Sequence, residues 1–272
     1  MTSPKTLRNV TPRRWTLAGT VAATALAAAH PVVVGAVSVA STLPGSAAHA
    51  SEGGEAGESG EAGVELSEGP SAFLTQLGYF EGTYRIIAQL YLDGERDLAR
   101  AHMEESHHAF YEDIEAALAG YDAPGFRAED AAFVAAVRDG AEDAELRAAF
   151  EALLTALARN AAAPGASLRD RLMSIKDMVA LAAADYAGGV AGDGAVDIAI
   201  EYRDSWGFYN VARARAQALA DAGEQAGRDV LEQLDGLEAL YPGLASDTAA
   251  TDASQLSVAT GWIEIIALRQ GV

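Results

Sequence analysis

From Pro70 onward the chain is written in the helical period: apolar residues recur three and four positions apart, and β-branched runs stay short. No strand-like alternation interrupts the pattern. Gly and Pro supply the breaks, at Gly94, Tyr121 to Gly125, Pro164-Gly165, Gly188 to Gly194, Gly223 and Pro242-Gly243. Seven helices are predicted, over roughly 71–92, 95–119, 128–159 (broken near Gly140), 167–187, 195–222, 225–241 and 253–270. Long amphipathic helices on short connections bury their apolar stripes against one another. The expected fold is all-α, an up-and-down helical bundle of six to seven helices formed by residues 70–272.

The first fifty residues are of another kind. Their only charges are Lys5, Arg8, Arg13 and Arg14, followed by an apolar stretch from Trp15 to about Ala40 and a small-x-small ending at Ala48-His49-Ala50. Residues 1–50 therefore read as a signal peptide, and the protein is expected in the periplasm or secreted. Arg13-Arg14 leaves the twin-arginine route open beside the general secretory one. An uncleaved membrane anchor is the other reading, because the apolar stretch exceeds the roughly 20 residues that span a bilayer.

Removing that segment takes away four of the 19 basic residues and no acidic one, leaving 15 against 39, a net charge of −24. Such a chain repels nucleic acid and attracts cations and basic partners. It has no cysteine, so an exported domain must be held by its core alone, and zinc–thiolate, haem–thiolate and iron–sulfur centres are excluded. Residues 51–69, SEGGEAGESGEAGVELSEG, repeat Glu and Gly at every third position. Their composition predicts a flexible acidic linker, a spacer with capacity for weak cation capture.

Three histidines remain after the signal, His102, His107 and His108, all in DLARAHMEESHHAFYEDIEAAL. On one continuous helix, turning about 100° per residue, Met103, Phe110, Ile114 and Leu118 mark the apolar face. His107 joins that face, His108 points nearly opposite and His102 lies on a flank. The three cannot form one site. Residues three or four apart share a face, so His102, Glu105, His108 and Glu112 make a polar strip of nitrogen and oxygen donors suited to iron, zinc or copper. The alternative is a solvated face with a hydrogen-bonded core histidine at His107. Glu105-x-x-His108 is the element di-iron bundles use, but no further histidine supplies the second element such a site needs.

The segment VDIAIEYRDSWGFYNVARARAQAL has large residues all round, the mark of a central helix. Glu201 and Asp204 would be partly buried there and need partners from another helix, with Tyr84, Arg85 or His107 as candidates. His107, Glu201 and Asp204 form the alternative, buried site; a structural hydrogen-bond network is the competing reading. Glu81 and Glu264, on otherwise apolar helices, could join either. No G-x-S-x-G, H-E-x-x-H, phosphate loop or dinucleotide fingerprint is present.

The opening helices, LGYFEGTYRIIAQLYLDGERDLARAHMEESHHAFYEDIEAAL, together with EYRDSWGFYNVA, resemble bacterial envelope proteins that carry a Glu/Gly-rich spacer after the signal. The layout also resembles imelysin-like periplasmic proteins, exported helical bundles linked to iron uptake. Of their G-x-H-x-x-E motif, His102-Met103-Glu104-Glu105 supplies H-x-x-E, while Arg100 stands at the Gly position. The expected function is binding of a metal ion (divalent or ferric) or a metal complex, as an accessory to uptake rather than as an enzyme. The competing expectation is an interaction or tether protein for an envelope transporter or receptor, with no metal of its own. A third, an α-helical hydrolase, lacks a visible nucleophile beside a base.

Overall fold

The computed structural model describes residues 64, 66–106 and 111–271. The expected signal peptide, residues 51–63 and 65 of the expected linker, and His107 and His108 lie outside the described residues. All described residues belong to one structural unit, Gly53–Val272.

Among them the chain forms nine α-helices: α1 (Pro70–Leu92), α2 (Arg96–Glu105), α3 (Tyr111–Gly120), α4 (Arg127–Asp139), α5 (Asp143–Ala161), α6 (Leu168–Gly189), α7 (Ala199–Asp221), α8 (Gln225–Leu234) and α9 (Ser254–Arg269). Local chemistry sets several ends. Pro70 opens α1 at a position where no backbone N–H is needed. Gly140 closes α4 in the left-handed region at φ 71°. Ser167 and Asp170 cap α6 reciprocally, side chain to backbone in both directions. No described helix is long and apolar enough to cross a membrane.

The all-helical reading holds, with two more helices than the seven expected. Gly140 makes a full break between α4 and α5. The expected helix over 95–119 is also two helices, because Ser106 turns extended at ψ 130°. The reason lies in the phase of the buried stripes. In α2 the buried positions are Ala99 and His102, continued by Ser106; in α3 they are Tyr111, Ile114 and Leu118. The two stripes are twelve residues out of step, about 120° apart on a continuous helix. One unbroken helix could not bury both. The last expected helix before the C-terminal one, 225–241, stops at Leu234, and a short 3-10 turn follows at Leu237–Leu240.

α7 is the central helix, packed by α6, α1 and α8, with α9 laid on α6. Two cores flank it. One gathers α1 to α5, with Phe80, Tyr84, Phe126 and Phe133 at its centre, and takes in Leu244 from the far side of the chain. The other joins α6 to α9 around Tyr186, Tyr202, Tyr209 and Tyr241. Trp206 packs against both. The halves meet closely because α1 and α7 cross at glycines: a Cβ on Gly207 would lie 2.9 Å from the Gly82 carbonyl oxygen and 2.7 Å from Ile86 Cδ1.

Candidate functional site

The Gly82–Gly207 crossing brings the polar end of α7 to α2. Thr83, next to Gly82, has its hydroxyl 3.4 Å from that of Ser106, which pins the end of α2 to α1. His102 lies one turn back on the same α2 stripe, and Asp204 lies one turn back from Gly207. The two therefore meet: His102 Nε2 is 3.4 Å from Asp204 Oδ1, with the His102 side chain 0% exposed.

Glu201 is buried one turn before Asp204, against α6. Its niche exists because residue 188 is glycine; a Cβ there would lie 1.8 Å from Glu201 Oε2. On the same side of α6, Ala182 accepts a 2.6 Å hydrogen bond from the Ser205 hydroxyl. Asp185 is one turn from both Ala182 and Gly188 and is also buried. Arg203 donates from Nε to the Leu244 carbonyl at 3.0 Å. Burial pushes its guanidinium down from the usual arginine range, while Glu105 and Asp204 pull it back up. The seam where α2 and α6 meet α7 thus pairs His102 with Asp204 and holds Glu201 one turn away, in the niche at Gly188.

The sequence-predicted residues divide as follows. Of the surface strip, His102 turns inward, whereas Glu105 and Glu112 are exposed on separate helices. Glu112 faces Arg127 at 3.4 Å, and Arg127 also pairs with Glu115 and lies over the Tyr111 ring. The strip drawn on a continuous helix is divided by the break at Ser106, and His108 lies outside the described residues. Of the buried alternative, Glu201 and Asp204 are buried, but the histidine beside Asp204 is His102; His107 lies outside the described residues. The other candidate partners are elsewhere. The Tyr84 hydroxyl donates to Asp130, and Arg85 pairs with Glu81 at 2.7 Å. Glu264 is exposed.

Asp185 and Asp177 went unnoticed in the sequence, although each is a lone carboxylate inside an apolar stretch of α6, the same signal that marked Glu201. Asp177 accepts from the Ser67 backbone N–H at 3.0 Å and from the Thr75 hydroxyl at 3.2 Å, and Lys176 lies 2.7 Å away. It clamps the segment before α1 to α6. Among the described residues no three His, Asp or Glu side chains are gathered closely enough to hold a metal ion.

Residues 161–267 match a family described as the iron permease-associated 4-helix bundle domain. The match begins at the last residue of α5 and takes in α6, α7, α8 and all but the last two residues of α9. Glu201, Asp204 and Asp185 fall inside it; His102 falls outside. No curated protein and no solved structure matches the chain.

Proposed function

We propose that this protein is an exported accessory of iron uptake that binds iron, as an ion or a small complex, at the seam of His102, Glu201 and Asp204. One observation carries the reading: the stretch similar to an iron permease-associated bundle is the one that buries Glu201 and Asp204, and the rest of the fold brings His102 against Asp204. An imidazole with carboxylates is a donor set suited to iron. His102 and Asp204 are already within reach of one ion. Glu201 would have to swing out of the niche at Gly188 to become a third donor. The likeness to imelysin-like proteins points to the same part of α2, through His102 and Glu105. The partner would be an envelope iron permease. Export rests on residues 1–50, and the acidic charge would draw cations to the surface.

The full chain titrated with ferrous and ferric citrate, with bound iron measured by metal analysis, tests this. Asp204→Asn should lower iron affinity by at least about tenfold, the loss of one charged ligand. Glu112→Gln, on the solvent side, should leave it unchanged. Iron binding untouched by Asp204→Asn, or none at millimolar iron, would remove the metal from the proposal.

A second reading has its own observation. Val258, Trp262, Ile265 and Leu268 are 59%, 49%, 40% and 53% exposed. They fall on one side of α9, away from its buried stripe of Leu256, Ala259, Ile263 and Ile266. An apolar helix face of this kind fits a protein partner, so the chain would act as an interaction module for an envelope transporter whether or not it holds iron.

A further inference from the structure

A cleft of about 470 Å³ opens at the other end of α7, where α1, α5, α6 and α7 come together. From Asp204 to Arg215, which lines it, is eleven residues, roughly 16 Å along the helix. The cleft is therefore separate from the carboxylate seam. Its walls are aliphatic: Leu74 from α1, Leu157 from α5, Ile175 from α6 and Leu219 from α7.

Its charges run against those of the chain. The protein carries a formal net charge of −20, yet the cleft is lined by Arg85, Arg171 and Arg215 against one carboxylate, Glu81. Glu81 is held from both sides, by Arg85 at 2.7 Å and Arg215 at 3.5 Å. Arg215 is further fixed by donating to the Leu74 carbonyl at 2.8 Å. Among the described residues the Arg171 guanidinium makes no hydrogen bond or ion pair. An aliphatic pocket with one guanidinium unengaged, beside a group that is itself net positive, complements a ligand with an apolar body and an anionic head. A planar guanidinium fork matches a carboxylate in particular.

We propose that this cleft binds an aliphatic carboxylate, its head on Arg171 and its chain along Leu74, Leu157, Ile175 and Leu219. The size is right for a small organic ligand, since such pockets hold roughly 300–1,000 Å³.

Calorimetric titration of the full chain with decanoate, decanol and butyrate tests it. Decanoate should bind about tenfold or more tighter than butyrate, which has lost six methylenes. It should also bind about tenfold tighter than decanol, which cannot form charge-assisted hydrogen bonds. Arg171→Ala should remove the advantage of decanoate over decanol and leave decanol unchanged. Ala158→Trp at the rim should block both without moving the melting temperature; Ala162→Trp, also at the rim, takes its place if that variant does not fold. Asp204→Asn should not affect decanoate, which separates this site from the proposed iron site. Equal binding of decanoate and decanol, indifference to Arg171→Ala, binding that survives the rim tryptophan, or no binding of decanoate would each overturn the assignment.

Discussion

The two halves of the bundle use aromatic side chains differently. In the first half three ring pairs meet edge to face, Phe80 with Phe126, Tyr84 with Phe133 and Tyr111 with Phe126, at centroid distances of 4.9–5.3 Å. In the second half the cluster is four tyrosines, Tyr186, Tyr202, Tyr209 and Tyr241, at 5.4–6.2 Å. The first half also buries phenols, but their contacts are scattered, Tyr84 donating to Asp130 and Tyr91 to the Ala141 carbonyl. The second contains a long irregular passage between α8 and α9, whose backbone carbonyls have no helix to satisfy them. Phenol hydroxyls meet that need. Tyr186 lies between the carbonyls of Leu240 and Ala250 at 2.9 and 2.7 Å, Tyr202 donates to Gly243, and Tyr209 donates to Leu234. Ser205 and Tyr241 share a 2.7 Å hydrogen bond. The donors of the second core converge on that one passage, whereas those of the first are dispersed.

The strongest test of the contrast is a cavity in each half. Phe133 is 0% exposed and Ile263 is 0% exposed. Phe133→Ala should cost about 3–5 kcal/mol and Ile263→Ala about 2–5 kcal/mol. Because α7 packs against α1 on one side and α6 on the other, both substitutions should shift a single urea transition followed by circular dichroism. A first step lost in Phe133→Ala while α6 to α9 stay folded would show the halves to be separate cooperative units.

The tyrosines give a smaller effect with a pH signature. Burial is the main force that pushes the Tyr186 phenol up from 10.0 to about 12, aided by Tyr202 and opposed by the Ala250 carbonyl. The folded state thus keeps this proton to about pH 12, whereas the unfolded chain releases it near 10. The contribution to stability is full below pH 10 and is lost as pH rises from 10 to 12. Tyr186→Phe should cost about 1–3 kcal/mol at neutral pH by leaving buried carbonyls unsatisfied. Its deficit against wild type should narrow between pH 10 and 12 in parallel denaturation series. A constant deficit across that range would mean that the hydroxyl is not what holds the loop.

The division between what the sequence revealed and what it hid follows the same line. The helices and most of their ends were legible, because Gly, Pro and the helical period act locally. The central place of α7 was legible from its large residues on every side. The site was half legible. Glu201 and Asp204 stood out as carboxylates in a buried helix, but the imidazole beside Asp204 is His102, which a continuous helix puts on a flank. Only the phase shift at Ser106 turns it inward, and that shift is visible in hindsight as the Ala99, His102, Ser106 spacing. Asp185 was missed because single acids in Ala-rich stretches look like surface positions until a neighbouring helix covers them. The crossing at Gly82 and Gly207 depends on two residues far apart in the chain, and no local pattern pairs them.

The smallest expected effect lies on α9, where the second half faces away from both cores. Trp262 is about half exposed and turns away from the buried stripe of the helix. Neighbouring Gly261 has nothing within 4 Å of where a Cβ would stand, so this face is open. Trp262→Ser removes little buried surface and should change stability by no more than about 0.5 kcal/mol, measured by urea titration. If the face serves a partner, the same substitution should abolish co-purification with an envelope iron permease expressed beside it, since exposed tryptophans at interface centres carry a large share of binding energy. Stability lowered by more than about 1 kcal/mol would instead place Trp262 in the support of the second core. Co-purification that survives the change would remove the exposed face of α9 as the partner surface.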